Sequence, residues 1–194
     1  CGAPPAGRSR LGAPIHTYTH MINGVPTGGA PPAKSAASCC GPDELSLDIS
    51  RCEVLNASNP AALAAVLGGG GELRSDCDEQ LLITIAFPSA VKLHSIVLEG
   101  PGSAPDEIRL FLNRTAMGFD DAEAEEPLQA LPLDEARRSG APLLLQYVKF
   151  QNVSTLTLFA PSNQEESEVT TLHRLRFFGS VHDTTNMKEF KRVG

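Results

Sequence analysis

Ser75-Asp76-Cys77-Asp78-Glu79-Gln80-Leu81-Leu82-Ile83-Thr84-Ile85-Ala86-Phe87 joins an acidic, polar knot directly to a seven-residue apolar run rich in β-formers. Pro88 ends the run, which is too short for a self-supporting helix, so a buried strand entered from an acidic loop is the economical reading. The residues N-terminal to this stretch read as a tail, and those C-terminal to it read as sheet.

Downstream, short β-like runs alternate with turn residues at Leu81–Phe87, Val91–Glu99, Glu107–Asn113, Leu128–Leu133, Leu143–Gln151, Ser154–Ala160 and Val169–Phe178. That spacing predicts an all-β sandwich or barrel. Pro88-Ser89-Ala90 is short enough to make the first two runs a tight antiparallel pair. Alternation is clearest in Ile108, Leu110 and Leu112, and again in Gln146, Val148 and Phe150, with Leu175 and Phe177 pointing one way between Arg174 and Arg176, so these strands are expected to face a core on one side. No helical crossovers separate the runs, which favours antiparallel pairing.

Residues 1–42 hold seven Pro and seven Gly, with Arg8, Arg10 and Lys34 as the only Lys or Arg, and no Asp or Glu. Such a composition cannot bury enough apolar surface to offset chain entropy, so the segment is expected to be a linker, or an arm ordered only on a partner. Within it, Pro14 to Ile22 is an apolar, β-branched island that could dock as an added strand. His16, His20, Cys39 and Cys40 are competent metal ligands, but neither their spacing nor the adjacent cysteines suit one tetrahedral ion, and no metal is expected. The folded domain is expected over 43–194. It opens with an amphipathic turn carrying Leu45, Ile49 and Cys52, followed by a short helix over 60–67 in the order Asn59, Pro60 and Gly68. Gly68 to Gly71 lack the Lys-Ser or Lys-Thr of a phosphate loop and read as a connection. Phe119 to Glu126 reads as one exposed helical turn.

A net charge of −7 argues against nucleic acid and anionic membranes, which require clustered Lys and Arg. Between Glu72 and Glu135, fourteen acids face four basic residues, while Lys188, Lys191 and Arg192 make the end of the chain basic. This polarity suits a basic partner surface on the acidic side, with a solvated acidic face as the commoner alternative. Five cysteines without repeated spacing are unlike a disulfide framework and fit a reducing compartment. The sequons at Asn56, Asn113 and Asn152 then carry no meaning, and the chain is expected in the cytoplasm, with the nucleus as a second compartment. Cys77 lies between Asp76 and Asp78, whose charges disfavour a thiolate, so it is expected to be a structural, partly buried thiol. His94 and His173 fall inside strands with no nucleophile motif beside them.

The knot at 75–81, Val91-Lys92-Leu93, Tyr147-Val148-Lys149-Phe150-Gln151-Asn152-Val153 and Thr185-Asn186-Met187-Lys188-Glu189-Phe190-Lys191-Arg192-Val193 together resemble the PITH domain. That is the proteasome-interacting domain at the C-terminus of thioredoxin-like proteins. Leu55-Asn56, Phe119-Asp120-Asp121 and Ser162-Asn163-Gln164 are similar to further landmarks of the family, in the right order. The resemblance spans about residues 44–193 and implies a jelly-roll β-sandwich similar to galactose-binding-like domains, docked on a large assembly, the 26S proteasome regulatory particle foremost. The family's upstream Trp-Cys-x-x-Cys site has no counterpart in a chain without Trp or Cys-x-x-Cys, so its redox activity does not carry over. The expected function is therefore non-catalytic docking without a cofactor, through Asp76, Asp78, Glu79, Asn186, Lys188, Lys191 and Arg192. Two alternatives stand beside it: a structural subunit fixed in another assembly such as a cytoskeletal complex, and a redox-active thioredoxin-related protein using Cys52 and Cys77.

Overall fold

The structure, a computed structural model, describes residues 42–114 and 116–182. The proposed N-terminal arm and the basic C-terminal residues lie outside that range, as does the island at 14–22. The strands are β1 (Asp43–Glu44), β2 (Glu53–Leu55), β3 (Leu73–Arg74), β4 (Leu81–Glu99), β5 (Glu107–Leu112), β6 (Gln129–Pro132), β7 (Leu143–Leu144), β8 (Val153–Ala160), β9 (Thr171–Leu172) and β10 (Arg174–Val181). Helices α1 (Ala62–Leu67), α2 (Phe119–Ala124) and α3 (Glu135–Arg138) are all short. Every strand pair is antiparallel.

The 19-residue β4 organises the sandwich. Its first half pairs with β2 on one side and β8 on the other, and β8 continues to β5 and β6. Its second half pairs with β10 and β7, and β10 continues to β1. The register on β8 shifts between Ala86 and Val91, where exposed Pro88 and Ser89 carry the strand from one layer to the other. Proline suits this corner because no ladder hydrogen bond is required of its nitrogen. The expected hairpin across 88–90 is thus corrected to one bent strand. Pairing 81–87 with 91–99 would have left β8 and β10 without their central neighbour.

Alternation then places the core. Leu81, Ile83 and Ile85 on the front layer meet Ile96, Leu98, Leu175 and Phe177 on the rear layer in one buried cluster. Phe87 and Phe177 pack edge to face at 5.9 Å, a geometry suited to aromatic quadrupoles. At the register shift opposite Phe178 and Gly179, the rear layer closes up so tightly that a Cβ on Gly179 would lie 2.0 Å from the Lys92 carbonyl oxygen. On the outward face of the front layer, Leu82, Phe111 and Phe159 are roofed by Met117 and Ala122, with Phe119 packed alongside. The helical turn expected at 119–126 is therefore α2, and it buries Ala122 rather than standing free.

The expected strand 143–151 is reduced to β7 and a 3₁₀ turn at Tyr147–Phe150. A period of three replaces the period of two, so Phe150 is fully buried while Val148 is 86% exposed. The run 169–178 divides into β9 and β10, with Leu175 and Phe177 inward as expected. Helix α1 starts two residues later than expected, and Gly68 closes it through its N–H to the Ala64 carbonyl.

Thr157 is the one buried side chain among the described residues whose hydroxyl lacks a hydrogen-bond partner. Replacing it by the isosteric Thr157→Val removes a desolvated hydroxyl without a cavity, and chemical denaturation should show a gain of about 1 kcal/mol. A loss of similar size would mean that the hydroxyl is bonded.

Candidate functional site

The loops at one end of the sandwich are held by asparagine and hydroxyl side chains. Asn56, at the end of β2, adopts φ 59°, a left-handed conformation that asparagine tolerates better than most residues. Its Nδ2 donates to Asp78 Oδ1 at 2.6 Å and to the Gln80 carbonyl at 2.7 Å, and its Oδ1 accepts the Cys77 N–H at 3.0 Å. From the other side, Ser75 Oγ accepts the Thr170 N–H at 2.9 Å, and Thr170 Oγ1 donates to the Glu79 carbonyl at 2.5 Å. The acidic knot is therefore a clamped loop.

The loop between β8 and β9 is built in the same way. Asn163, 3% exposed, donates through Nδ2 to the Ser167 carbonyl at 2.7 Å and accepts the Ser167 N–H at 2.9 Å. Ser162 Oγ donates to Asp106 Oδ1 at 2.7 Å, and Gln164 Nε2 donates to the Leu133 carbonyl at 2.6 Å. Between the two loops lies a cleft of about 490 Å³ whose walls include the carboxylates of Glu79, Asp106, Glu166 and Glu168 and no Lys or Arg. Four like charges around one opening give a negative potential that favours cationic groups.

Of the acids singled out from sequence, Glu79 lines this cleft. Asp78 sits in the same loop but spends Oδ1 on Asn56 and the Gln80 N–H. Asp76 is exposed beside Cys77, whose Sγ lies 3.7 Å from Asp76 Oδ2. Asn186, Lys188, Lys191 and Arg192 fall outside the described residues. Asp106, Glu166 and Glu168 were missed. The run Glu165-Glu166-Ser167-Glu168, placed directly after the Ser162-Asn163-Gln164 landmark, was the available signal for two of them.

The two cysteines of the described domain are free and differ in kind. Cys52 is half-buried, with Sγ donating to the Asp48 carbonyl at 3.3 Å and accepting the Ala86 N–H at 3.4 Å. Burial pushes its thiol up from the usual range, against the opposing effect of the Ala86 N–H. Cys77 is exposed, which corrects the expected partly buried thiol: the clamp holds the loop backbone and leaves this side chain at the surface. Among the described residues no group of three or more His, Cys, Asp or Glu side chains is placed to hold a metal ion. Asn56 and Asn113 of the sequons commit their amide groups to loop hydrogen bonds, Asn113 Oδ1 accepting the Ser154 and Thr155 N–H groups.

Two antiparallel layers joined by a shared bent strand, with polar loops gathered at one end, define a galactose-binding-like jelly roll. Solved structures agree on the fold. The paired CBM32 domains of Clostridium perfringens ZmpB, solved in complex with GalNAc, superpose with TM-score 0.54 at 9% identity, over 71% of this chain and 36% of that one. The C-terminal domain of a chitobiase from Bacteroides fragilis gives TM-score 0.51 at 16% identity, over 73% of this chain and 100% of that one. At such identities the likeness concerns the fold alone.

The PITH domain model matches residues 44–194, and the chain belongs to the PITH domain family. Thioredoxin-like protein 1 of Schizosaccharomyces pombe is 32% identical over 99% of this chain and 68% of its own length. PITH domain-containing protein 1 is 32% identical in Homo sapiens, over 61% of this chain and 60% of that protein. In Danio rerio it is 39% identical over 47% of this chain, which covers 44% of the relative's length. The PITH domain is a non-catalytic domain type.

Thiol chemistry provides a direct check on the two cysteines. Alkylation at neutral pH, mapped peptide by peptide in the native chain, should modify Cys77 at least about tenfold faster than Cys52, because the thiolate is the reacting form. Raising the pH toward the elevated Cys52 range should narrow the gap. Equal rates at neutral pH would contradict the burial of Cys52.

Proposed function

We propose that this chain is a non-catalytic docking domain that attaches to a large protein assembly, in the first place the 26S proteasome regulatory particle. Membership of the PITH family supports the kind of partner. The acidic cleft between two clamped loops is the observation that carries the mode of binding. Loops already fixed by Asn56 and Asn163 lose little conformational freedom on association, which favours affinity from a small contact.

The cleft suits a protrusion rich in Lys or Arg on the partner. Rim charges of this kind steer encounter and choose the partner, and their effect weakens as salt rises. The exposed Cys77 thiol belongs to the same loop and has no cysteine partner among the described residues, which supports docking over thiol exchange. Such a role belongs in the cytoplasm, with the nucleus as a second compartment, where reduced thiols persist.

Pull-down of the tagged chain from cell extract tests the proposal. Regulatory-particle subunits should be retained at low salt, and Glu79→Lys combined with Glu168→Lys should weaken retention by about tenfold while leaving thermal unfolding unchanged. Absence of proteasome subunits, or retention untouched by the charge reversals, would overturn it. Enrichment of a different large complex in their place would transfer the docking role to that assembly.

A further inference from the structure

The unpartnered Thr157 hydroxyl stands at the inner end of a polar row. Glu53 on β2 is directly opposite Thr84 on β4, and Thr84 is directly opposite Thr157 on β8. Residues paired in this way put their side chains on one face with Cβ atoms about 5 Å apart. Leu81, Ile83 and Ile85 fill the interior, so the row lies on the outward face of the front layer. Exposure falls along it, from exposed Glu53 through half-buried Thr84 to Thr157 at 0%. Beyond Thr157 the next cross-strand partner is Phe111, in the apolar patch beneath α2. A hydroxyl buried there without a hydrogen bond costs the free domain stability.

The row opens to solvent at Thr84. A cleft of about 350 Å³ runs over it, between Glu53 and Leu55 of β2 and the Met117, Gly118 and Asp121 segment that starts α2. Met117 also packs with Phe111 and Phe159, the neighbours of Thr157 across and along the sheet. This side chain therefore separates the cleft from the Thr157 hydroxyl. Being unbranched, with three rotatable bonds, it repacks at small cost.

The chemistry of the walls selects the occupant. Glu53 and Asp121 are carboxylates, and among the described residues the cleft holds no Lys, Arg or His, so it rejects anions. Asp121 Oδ2 accepts the Gly118 N–H at 3.1 Å, which leaves its Oδ1 available to a ligand. Leu55 and Met117 give the cleft apolar sides. A compact cation on an aliphatic stem fits all of these. Its methylenes lie against Leu55 and Met117, and its three N–H donors meet hydroxyl and carboxylate oxygens. The gap between two threonine side chains suits this compact tip better than the planar fork of a guanidinium.

We propose that this cleft is a second binding site, which takes the side chain of a lysine presented by a protein partner. The ammonium enters beside Thr84, Met117 turns aside, and the Thr157 hydroxyl gains the partner it lacks, with Glu53 and Asp121 balancing the charge. Thr157 thus serves binding at the expense of stability in the free domain. The site lies on the outward face of the front layer rather than between the two clamped loops, so it does not depend on the docking assignment.

Methyl-resolved NMR on the full chain, titrated with Nα-acetyl-lysine amide, tests this without any protein partner. The Thr84, Met117 and Thr157 methyl resonances should shift together and saturate, while core Leu175 stays in place. Thr157→Val should weaken binding of the probe by about tenfold even as it raises the thermal midpoint, and Glu53→Gln should weaken it without unfolding the domain. The Nε-acetylated probe and the corresponding arginine amide should leave the three methyls unmoved. Unmoved Met117 and Thr157 methyls with the lysine probe, undiminished binding in Thr157→Val, or an equal response to the arginine probe would overturn the proposal. So would loss of the response in Glu79→Lys with Glu168→Lys, which would assign the amine to the loop cleft, or tighter binding of spermidine than of a lysine-containing peptide, which would assign the site to a free polyamine.

Discussion

The structure depends on the shared strand β4. Because each half of Leu81–Glu99 sits at the centre of its own layer, the two layers cannot separate or slide without breaking one continuous backbone. The apolar demand on this strand is correspondingly severe. Leu81, Ile83, Ile85 and Phe87 must face the same interior as Leu93, Ile96 and Leu98 across a corner that changes the strand's direction. The two register irregularities, at Ala86/Val91 and at Phe178/Gly179, keep the inward faces aligned on either side of that corner. Opposite Phe178 and Gly179 one extra residue of β4, His94, moves its inward positions from Val91 and Leu93 to Ile96 and Leu98.

The loop end derives from this frame. Strands β4, β5, β8 and β9 bring three connections to one end of the sandwich, and short polar side chains fix them there. Asn56, Asn163, Ser75 and Thr170 do so by bonding backbone groups of neighbouring loops, so the loops need little apolar support of their own. This leaves the acids free of structural duty in most cases. Glu79 and Glu168 line the cleft, whereas Asp78 has become part of the clamp. The distinction between an acid that recognises and an acid that builds is thus one of hydrogen bonding rather than composition.

Much of the sheet was legible in the sequence because alternation has a physical period. Ile108 and Leu110, and Leu175 with Phe177, point inward as their spacing required. The same rule failed at Gln146, Val148 and Phe150, where a 3₁₀ turn imposes a period of three and an aromatic residue alone anchors the segment. It failed again at 88–90, because three residues ending an apolar run are compatible with a reversal or a bend. Only the neighbours of each half decide between them. The exposure of Cys77 was hidden for a similar reason. Flanking charges describe a thiol's electrostatics but not where a clamped loop will leave it.

By itself, the sequence determined the antiparallel β class, the PITH family and the acidic character of the 75–80 loop, because apolar period, motif order and charge are properties of neighbouring residues. Tertiary structure alone decided that two runs form one strand, that Glu79 joins Asp106, Glu166 and Glu168 around a cleft, and that the rear layer displays Leu144, Tyr147 and Val148. Each of these rests on contacts between segments far apart in the chain. Local periodicity carries no information about which distant strand or loop will supply the neighbour.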